Sequence, residues 1–381
     1  MTGLLETPYG TQDFLPAEAA IKRAIEQKIF ELFTSFGYEE VVTPTMEYLE
    51  TLTTSSGRVI EPHLFKMFDK NNRTLALRHE MTTPIARLAV SRLKDSPLPL
   101  KLSYNTNVFR FRNNQPGRQC EFYQAGVELL GISNAFADAE IISLAAQALS
   151  VAGLKDFKIS LGQVEFVGGL MENLSAEIQS EIKSAIERHD IVALNNLDID
   201  DALKKIPTLQ GGQEVLTAAQ SIANNERSRR ALDNLTEIYR LLEIYGVADK
   251  ITFDLGLIRD FEYYTGMVFE AYSHGVGYSL AGGGRYDNML KDFGAECPAT
   301  GFALGIERIL DARKFQGVAD DSTAKDFYLS YAEGQEYLAI KKAAELRAAK
   351  KVVEVSLTPQ NKADAEKSCA AKICMELIYL A

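Results

Sequence analysis

Apolar residues in the first forty positions recur at three- and four-residue steps, as Ile21, Ile25, Ile29, Leu32 and Phe36. This spacing gathers them on one stripe of an amphipathic helix from Pro16 to Phe36, which Gly37 ends. The stripe must face a core or a partner. Tyr38-Glu-Glu-Val-Val-Thr-Pro44 then predicts a strand stopped by proline. From residue 101 the pattern becomes strand-like. Lys101 to Phe111 and Gln119 to Leu130 predict an antiparallel hairpin across the polar turn Arg112-Asn-Asn-Gln-Pro-Gly117. Ala135 to Ala152 is helical by composition, and Asp156 to Leu161 reads as a strand.

From about 167 to about 247 the chain is rich in Ala, Glu, Lys, Leu and Gln, with few strand formers. This predicts a helical block inserted between two β-rich regions. Strand character returns at Ile251 to Leu255, Met267 to Tyr272 and Tyr278 to Ala281, before a helix that begins near Gly305. The interrupted β regions imply one discontinuous α+β domain over residues 1–318. Gln316 to Lys325 is a polar linker. Beyond it, strands at Phe327 to Tyr331, Val352 to Leu357 and Met375 to Leu380 alternate with helical stretches at Gly334 to Ala349 and Gln360 to Lys372. Residues 325–381 therefore form a β-α-β-α-β module, which at this size is expected to dock on its neighbour.

Composition narrows the class. The chain has 381 residues, 46% of them hydrophobic and 24% charged, which is the balance of a globular protein able to bury a large core. A formal net charge of −11 argues against gripping nucleic acid as its main task, because phosphate binding needs concentrated Lys and Arg. No leader pattern opens the chain, and no apolar run approaches the ~20 residues that span a bilayer. A cytoplasmic location without membrane contact is expected. Cys120, Cys297, Cys369 and Cys374 are scattered, as are His63, His79, His189 and His274, so no metal site, disulfide framework or catalytic His is predicted.

Three clusters suit ligand chemistry. Arg110, Arg112 and Arg118 crowd the hairpin turn, where guanidinium forks fit carboxylate or phosphate, or where they are simply a charged surface. Gly282-Gly-Gly284 can cradle an anion with backbone N–H groups or can let neighbouring strands approach closely. Arg259-Asp-Phe-Glu-Tyr-Tyr264 offers a cation, acceptors and phenolic donors at one locus, suited to a small zwitterion or to a strand edge of alternating burial. These residues by themselves reach an α+β protein with a candidate small-anion or amino-acid site.

Seven segments in order resemble the histidyl-tRNA synthetase family of class II synthetases, over roughly residues 8 to 313. Tyr9-Gly-Thr-Gln-Asp-Phe-Leu-Pro16 resembles the family's N-terminal entry, and Gly37 to Pro44 its dimer-forming motif 1. Leu77-Arg-His-Glu-Met-Thr-Thr-Pro84 matches a substrate-contacting loop, and Phe109 to Gln124 with Gly126-Val-Glu128 matches motif 2. Arg259 to Tyr264 and Gly282 to Asp287 resemble the two histidine-specific segments, and Gly301 to Arg308 resembles motif 3. The resemblance implies a mixed, mainly antiparallel sheet flanked by helices, and a histidine pocket. In that pocket Glu80, Thr82 and Gln124 would receive the α-amino group, and Arg259 with Gln124 would hold the carboxylate. Glu128 and Tyr264 would face opposite imidazole nitrogens, and Tyr286 would help close the pocket. Arg110 and Tyr263 complete the implied histidine-binding set.

The adenylating half departs from that family. Where a synthetase has a glutamate that accepts the adenine amino group, this chain has Arg112, and guanidinium has no acceptor. Asn113-Asn114 replaces an Arg-Pro pair, and Cys120 replaces a loop arginine. The C-terminal module is short for an anticodon-binding domain, and residues 320–381 hold nine Lys or Arg against ten Asp or Glu, so no basic platform compensates. Retained histidine recognition with damaged adenylation resembles the family of ATP phosphoribosyltransferase regulatory subunits. That resemblance implies a chain without catalytic residues or cofactor, serving the first step of L-histidine biosynthesis. It implies a homodimer through motif 1, a hetero-octamer with the short-form catalytic subunit, L-histidine as effector, and no tRNA. A truncated or specialised histidyl-tRNA synthetase is the alternative from the enzyme class, and a ligand-free scaffold is a third reading.

Overall fold

The computed structural model describes residues 4–56, 58–111, 119–257, 264–319 and 325–381. Helix α1 (Pro16–Ser35) forms where the 3.6-residue pattern places it, but its buried face is Lys22, Ile25, Glu26, Ile29 and Phe33. Phe33 rather than Leu32 or Phe36 completes the stripe. Lys22 and Glu26 are buried as an ion pair of 2.5 Å, and the Lys22 ammonium sits 3.3 Å from the centre of the Tyr123 ring. Their burial is tolerated because the charges satisfy one another.

The strand expected at Tyr38 to Pro44 contracts to β1 (Glu39–Glu40). The chain leaves the sheet because other partners claim it. Tyr38 is buried with its hydroxyl on Glu140 at 3.0 Å, and the Thr43 carbonyl accepts the Arg78 guanidinium at 2.8 Å. Next come β2 (Met46–Tyr48), α2 (Leu49–Ser56), β3 (Lys66–Phe68), β4 (Thr74–Leu77) and α3 (Thr82–Arg92). The three strands form a small antiparallel sheet in the order β2-β4-β3. None of these elements was marked by the hydrophobic pattern, since strands of three or four residues hold too few alternations to show a period.

The expected hairpin forms as β5 (Leu100–Phe109) and β6 (Glu121–Leu130), in register from Leu100 opposite Leu130 to Phe109 opposite Glu121. Its predicted turn lies within 112–118, outside the described residues. Helix α4 (Ala135–Val151) follows, capped by the Asn134 side chain, which accepts from the Ala137 N–H at 2.8 Å. After β7 (Lys158–Gln163) comes the helical block: α5 (Val164–Leu170), α6 (Ala176–Glu187), α7 (Ile191–Asn196) and α8 (Asp201–Lys204), then strand β8 (Gln210–Gly211), α9 (Glu214–Gln220) and α10 (Glu226–Ile244).

β9 (Ile251–Asp254) and β10 (Met267–Tyr272) match expectation. The strand expected at Tyr278 to Ala281 does not. The strand is instead β11 (Ala281–Arg285), running through the glycine triplet. Tyr278 lies before it, its hydroxyl donating to Asp311 at 2.5 Å. β12 (Ala299–Gly305), which the pattern did not mark, pairs with both β11 and β6, and α11 (Ile306–Phe315) follows directly. A Cβ at Gly283 would collide with the Gly301 carbonyl and lie 2.6 Å from the Phe302 Cβ. Close strand approach, of the two readings left open, is what Gly283 serves.

Among the described residues, nine strands form one sheet in the order β1-β5-β6-β12-β11-β10-β7-β9-β8. Pairing from β5 to β7 is antiparallel throughout, while β1 and β9 each pair parallel to a neighbour. This is the mixed, mainly antiparallel α+β sheet expected. Buried Arg285, at the end of β11, is fixed to Asp138 of α4 by contacts of 2.8 and 3.1 Å, and to Asp287 at 2.9 Å. No helix among the described residues is long and apolar enough to cross a membrane.

The chain divides into two units, one of Met1–Asp13 with Lys22–Val318, the other of Phe14–Ile21 with Ala319–Ala381. In the smaller, β13 (Lys325–Tyr331), α12 (Glu336–Ala348), β14 (Val353–Val355), α13 (Lys362–Ala371) and β15 (Cys374–Leu380) follow in sequence. The strands are parallel, with β13 between β14 and β15. Ala339 and Ala343 of α12 pack with Leu329, Tyr331 and Val353. On α13, Ala365 and Cys369 are the buried residues.

Removing one partner of a buried ion pair leaves the other charge uncompensated. Asp138→Asn is therefore expected to lower the unfolding free energy by about 3 kcal/mol in urea titration. A loss below about 1 kcal/mol would mean that Asp287 holds Arg285 unaided.

Candidate functional site

The middle strands of the large sheet carry a cleft whose interior holds about 750 Å³ of empty space, its mouth included. Glu80, Thr82, Arg110, Gln124, Glu128, Tyr264 and Tyr286 all line it. Arg259 and Tyr263, the other two residues of the expected set, lie outside the described residues. So do Arg112, Asn113, Asn114 and Arg118.

Glu128 is the deepest polar group. It lies on β6 and points between β12 and α3, into space that exists because residue 301 is glycine: a Cβ there would collide with its carboxylate. One carboxylate oxygen accepts the Thr82 hydroxyl at 2.9 Å, and the other accepts the Tyr286 hydroxyl. Full burial pushes this carboxyl up to about 8, against the opposing pull of those two hydroxyl donors. The Tyr104 hydroxyl, buried near Glu128 and Glu80, is raised well above its ordinary value, first by burial and then by those carboxylates.

Glu80 stands just before α3, and its carboxylate accepts the backbone N–H groups of Thr82 and Thr83, the latter at 3.0 Å. It thereby caps the helix while its edge lines the cleft. Gln124 is buried on β6, and its side-chain carbonyl has no hydrogen-bond partner among the described residues. Such an acceptor is costly unless a ligand or water supplies a donor. Tyr264 packs over Gly284, where a Cβ would fall 2.7 Å from its ring.

The other end of the cleft is cationic. Arg110 donates through Nε to the His79 carbonyl at 2.9 Å, with its guanidinium 5.2 Å from the Phe122 ring centre. Arg308 donates to the Ser279 carbonyl at 2.5 Å and lies 5.3 Å from the Tyr278 ring centre. Cys120 does not face this space. It is buried against Gly10, donating its backbone N–H to the Gly10 carbonyl at 2.7 Å, and Gly10 has a φ of +75°.

Sequence reasoning missed Tyr104, which lines the cleft opposite Gly126 on the paired strand. The alternation of Leu102 and Tyr104 on one face of β5 was a usable signal. It missed Glu307 as well, whose two oxygens accept the Tyr123 N–H at 3.0 and 2.9 Å and whose carboxyl burial pushes up to about 7. His79 was assigned no chemistry. It is buried, neither ring nitrogen has a hydrogen-bond partner among the described residues, and burial lowers it to about 4. Among the described residues no cluster of three His, Cys, Asp or Glu could hold a metal ion.

Residues 10–309 match the histidyl-tRNA synthetase family. The chain is 40% identical to an ATP phosphoribosyltransferase regulatory subunit of Moorella thermoacetica, over 97% of this chain and 96% of that protein. It superposes on the crystal structure of an ATP phosphoribosyltransferase regulatory subunit/histidyl-tRNA synthetase from Bacillus halodurans with a TM-score of 0.88, at 33% identity and 99% coverage of each chain. Histidyl-tRNA synthetase from Nostoc aligns with a TM-score of 0.85 at 21% identity, over 99% of this chain and 92% of that one, and shares its fold.

A carboxyl raised by burial holds a proton in the folded chain that it lacks unfolded, so stability falls as pH climbs from the ordinary carboxylate range toward 8. The slope assignable to Glu128 is at most about 1.4 kcal/mol per pH unit. Glu128→Gln, which cannot ionise, is expected to flatten the fall in Tm of the ligand-free chain between pH 5.5 and 8. Equal slopes in both proteins would assign the dependence to another group.

Proposed function

This chain belongs to the histidyl-tRNA synthetase family and, within it, to the ATP phosphoribosyltransferase regulatory subunits, and we propose that it senses free L-histidine for a catalytic partner. The observation that carries the ligand assignment is the Gln124 carbonyl, which has no hydrogen-bond partner among the described residues, in the same cleft as a buried carboxyl held by two hydroxyls. An α-ammonium satisfies the first, and an imidazole N–H satisfies the second.

In this reading Gln124 and Glu80 receive the ammonium, Arg259 takes the carboxylate, and the imidazole lies between Glu128 and Tyr264. The Thr82 and Tyr286 hydroxyls, which donate to Glu128, hold its carboxyl toward the ring while Thr82 keeps its oxygen as an acceptor and Tyr286 closes the pocket. The site discriminates because a ligand lacking the ring nitrogens leaves this carboxyl without its donor. Arg110 lies toward the carboxylate end of such a ligand.

The partner is the short-form catalytic subunit of ATP phosphoribosyltransferase, in a hetero-octamer that commits the first step of L-histidine biosynthesis. This chain supplies no catalytic residue and needs no cofactor or tRNA. Histidine biases the assembly between two states, with a coupling of about 1–3 kcal/mol. The homodimer forms through the segment after β1, where the sheet has an edge and Val42 stands exposed. Arg112 in place of an acceptor and Cys120 turned to Gly10 support the loss of adenylation. The synthetase alternative is favoured by one observation, that Arg110 and Arg308 line the same cleft.

Calorimetry is expected to show L-histidine binding to the chain, weakened about tenfold or more by Gln124→Leu. With the catalytic subunit added, histidine is expected to inhibit phosphoribosyl transfer by the wild-type complex at concentrations that leave the Gln124→Leu complex active. Histidine-dependent ATP–pyrophosphate exchange by the chain alone would establish the synthetase reading instead.

A further inference from the structure

The small C-terminal unit exposes apolar surface on the wrong side of a helix. Ala339 and Ala343 already bury the inner face of α12 against β13 and β14. An outer face in water is ordinarily polar. Here Tyr337 is 74% exposed, Ile340 67% and Leu338 50%, and exposed Ala344 continues the stripe a turn beyond Ile340. In a parallel β-α-β crossover the start of the helix lies at the end where the strands finish. Leu357, 93% exposed, follows β14 at that same end of the unit. Four large apolar side chains thus share one corner of the unit, more than isolated exposed residues account for.

The rim gives the occupant its charge. Residues 336–351 carry Lys341, Lys342, Arg347, Lys350 and Lys351 against Glu336 and Glu345; Lys342 pairs with Glu345 at 3.5 Å and Lys351 with Asp326 at 3.1 Å, which still leaves a positive edge in a chain of net charge −11. A second copy docked two-fold on this face would set lysine against lysine. A partner with an apolar ridge between carboxylates complements it, with aromatic and aliphatic anchors at the centre and charges at the edge.

We infer that the outer face of α12, centred on Tyr337 and Ile340 and continued by Leu357, is the docking surface for an acidic-rimmed patch of the catalytic partner. The inference rests on the functional reading above and adds the surface by which the two chains meet. The cleft and the docking face share no residue, so each can be substituted without changing the other.

The test uses the full-length chain and the short-form catalytic subunit in co-sedimentation and surface binding at two salt concentrations. Tyr337→Glu and Ile340→Glu are each expected to weaken association about tenfold or more while leaving L-histidine binding by the chain unchanged, which also reports that the variants are folded. Lys341→Glu, at an exposed position, is expected to slow association at low salt with little effect at high salt. Wild-type association with unaffected variants overturns the assignment of this surface and leaves the functional reading intact. Absence of association by the wild type overturns both. Variants that alter only the chain's own oligomeric state make the face a contact between copies, which also overturns the inference.

Discussion

A fully buried carboxyl held by two hydroxyls organises this protein. Glu128 lies fully inside the sheet, and ionising it there costs several kcal/mol unless donors surround it. Its two hydroxyl donors come from different places: Thr82 from the first turn of α3, Tyr286 from the end of β11. The space it occupies depends on Gly301 in β12. Four elements far apart in sequence must therefore be in register before this one side chain is satisfied. Misalignment of β12 by one residue would replace Gly301 with a side chain at the point where no Cβ fits.

The surrounding structure fixes those elements to one another. Arg285 ties the end of β11 to α4 through Asp138, one residue before Tyr286. Arg78 spans the Thr43 carbonyl, the Asn107 carbonyl at 3.0 Å and the Thr106 hydroxyl, which joins the segment after β1 to β5 and to the loop carrying Glu80. A segment suited to subunit contact and a segment suited to ligand contact thus share one guanidinium.

The cleft keeps two ends with different fates. At one end, acceptors and hydroxyls are buried, and the Gln124 carbonyl has no hydrogen-bond partner among the described residues. At the other, Arg110 and Arg308 remain but lean on backbone carbonyls and aromatic rings, and Cys120 has become a small core residue beneath Gly10. Replacing an arginine by a buried thiol removes a cation from the cleft and adds packing against the N-terminal loop.

Much of this was legible in the sequence. Periodicity located α1, α4, the β5–β6 hairpin, the helical block and the C-terminal β-α-β-α-β order, because long elements repeat their pattern often enough to be read. Motif resemblance named seven of the residues that line the cleft, and not Tyr104. Tertiary structure decided the rest. Gly282 to Gly284 carry no strand propensity, yet form β11 because only glycine lets β10, β12 and Tyr264 approach so closely. Tyr38 to Pro44 has strand propensity, yet pairs over two residues because Arg78 and Glu140 draw its flanks away. The sequence by itself determined which side chains are present and which elements are long. Only the folded sheet decided that the Thr82 and Tyr286 hydroxyls meet on Glu128, because hydrogen bonds between residues 46 and 158 positions apart exist only once the strands are in register.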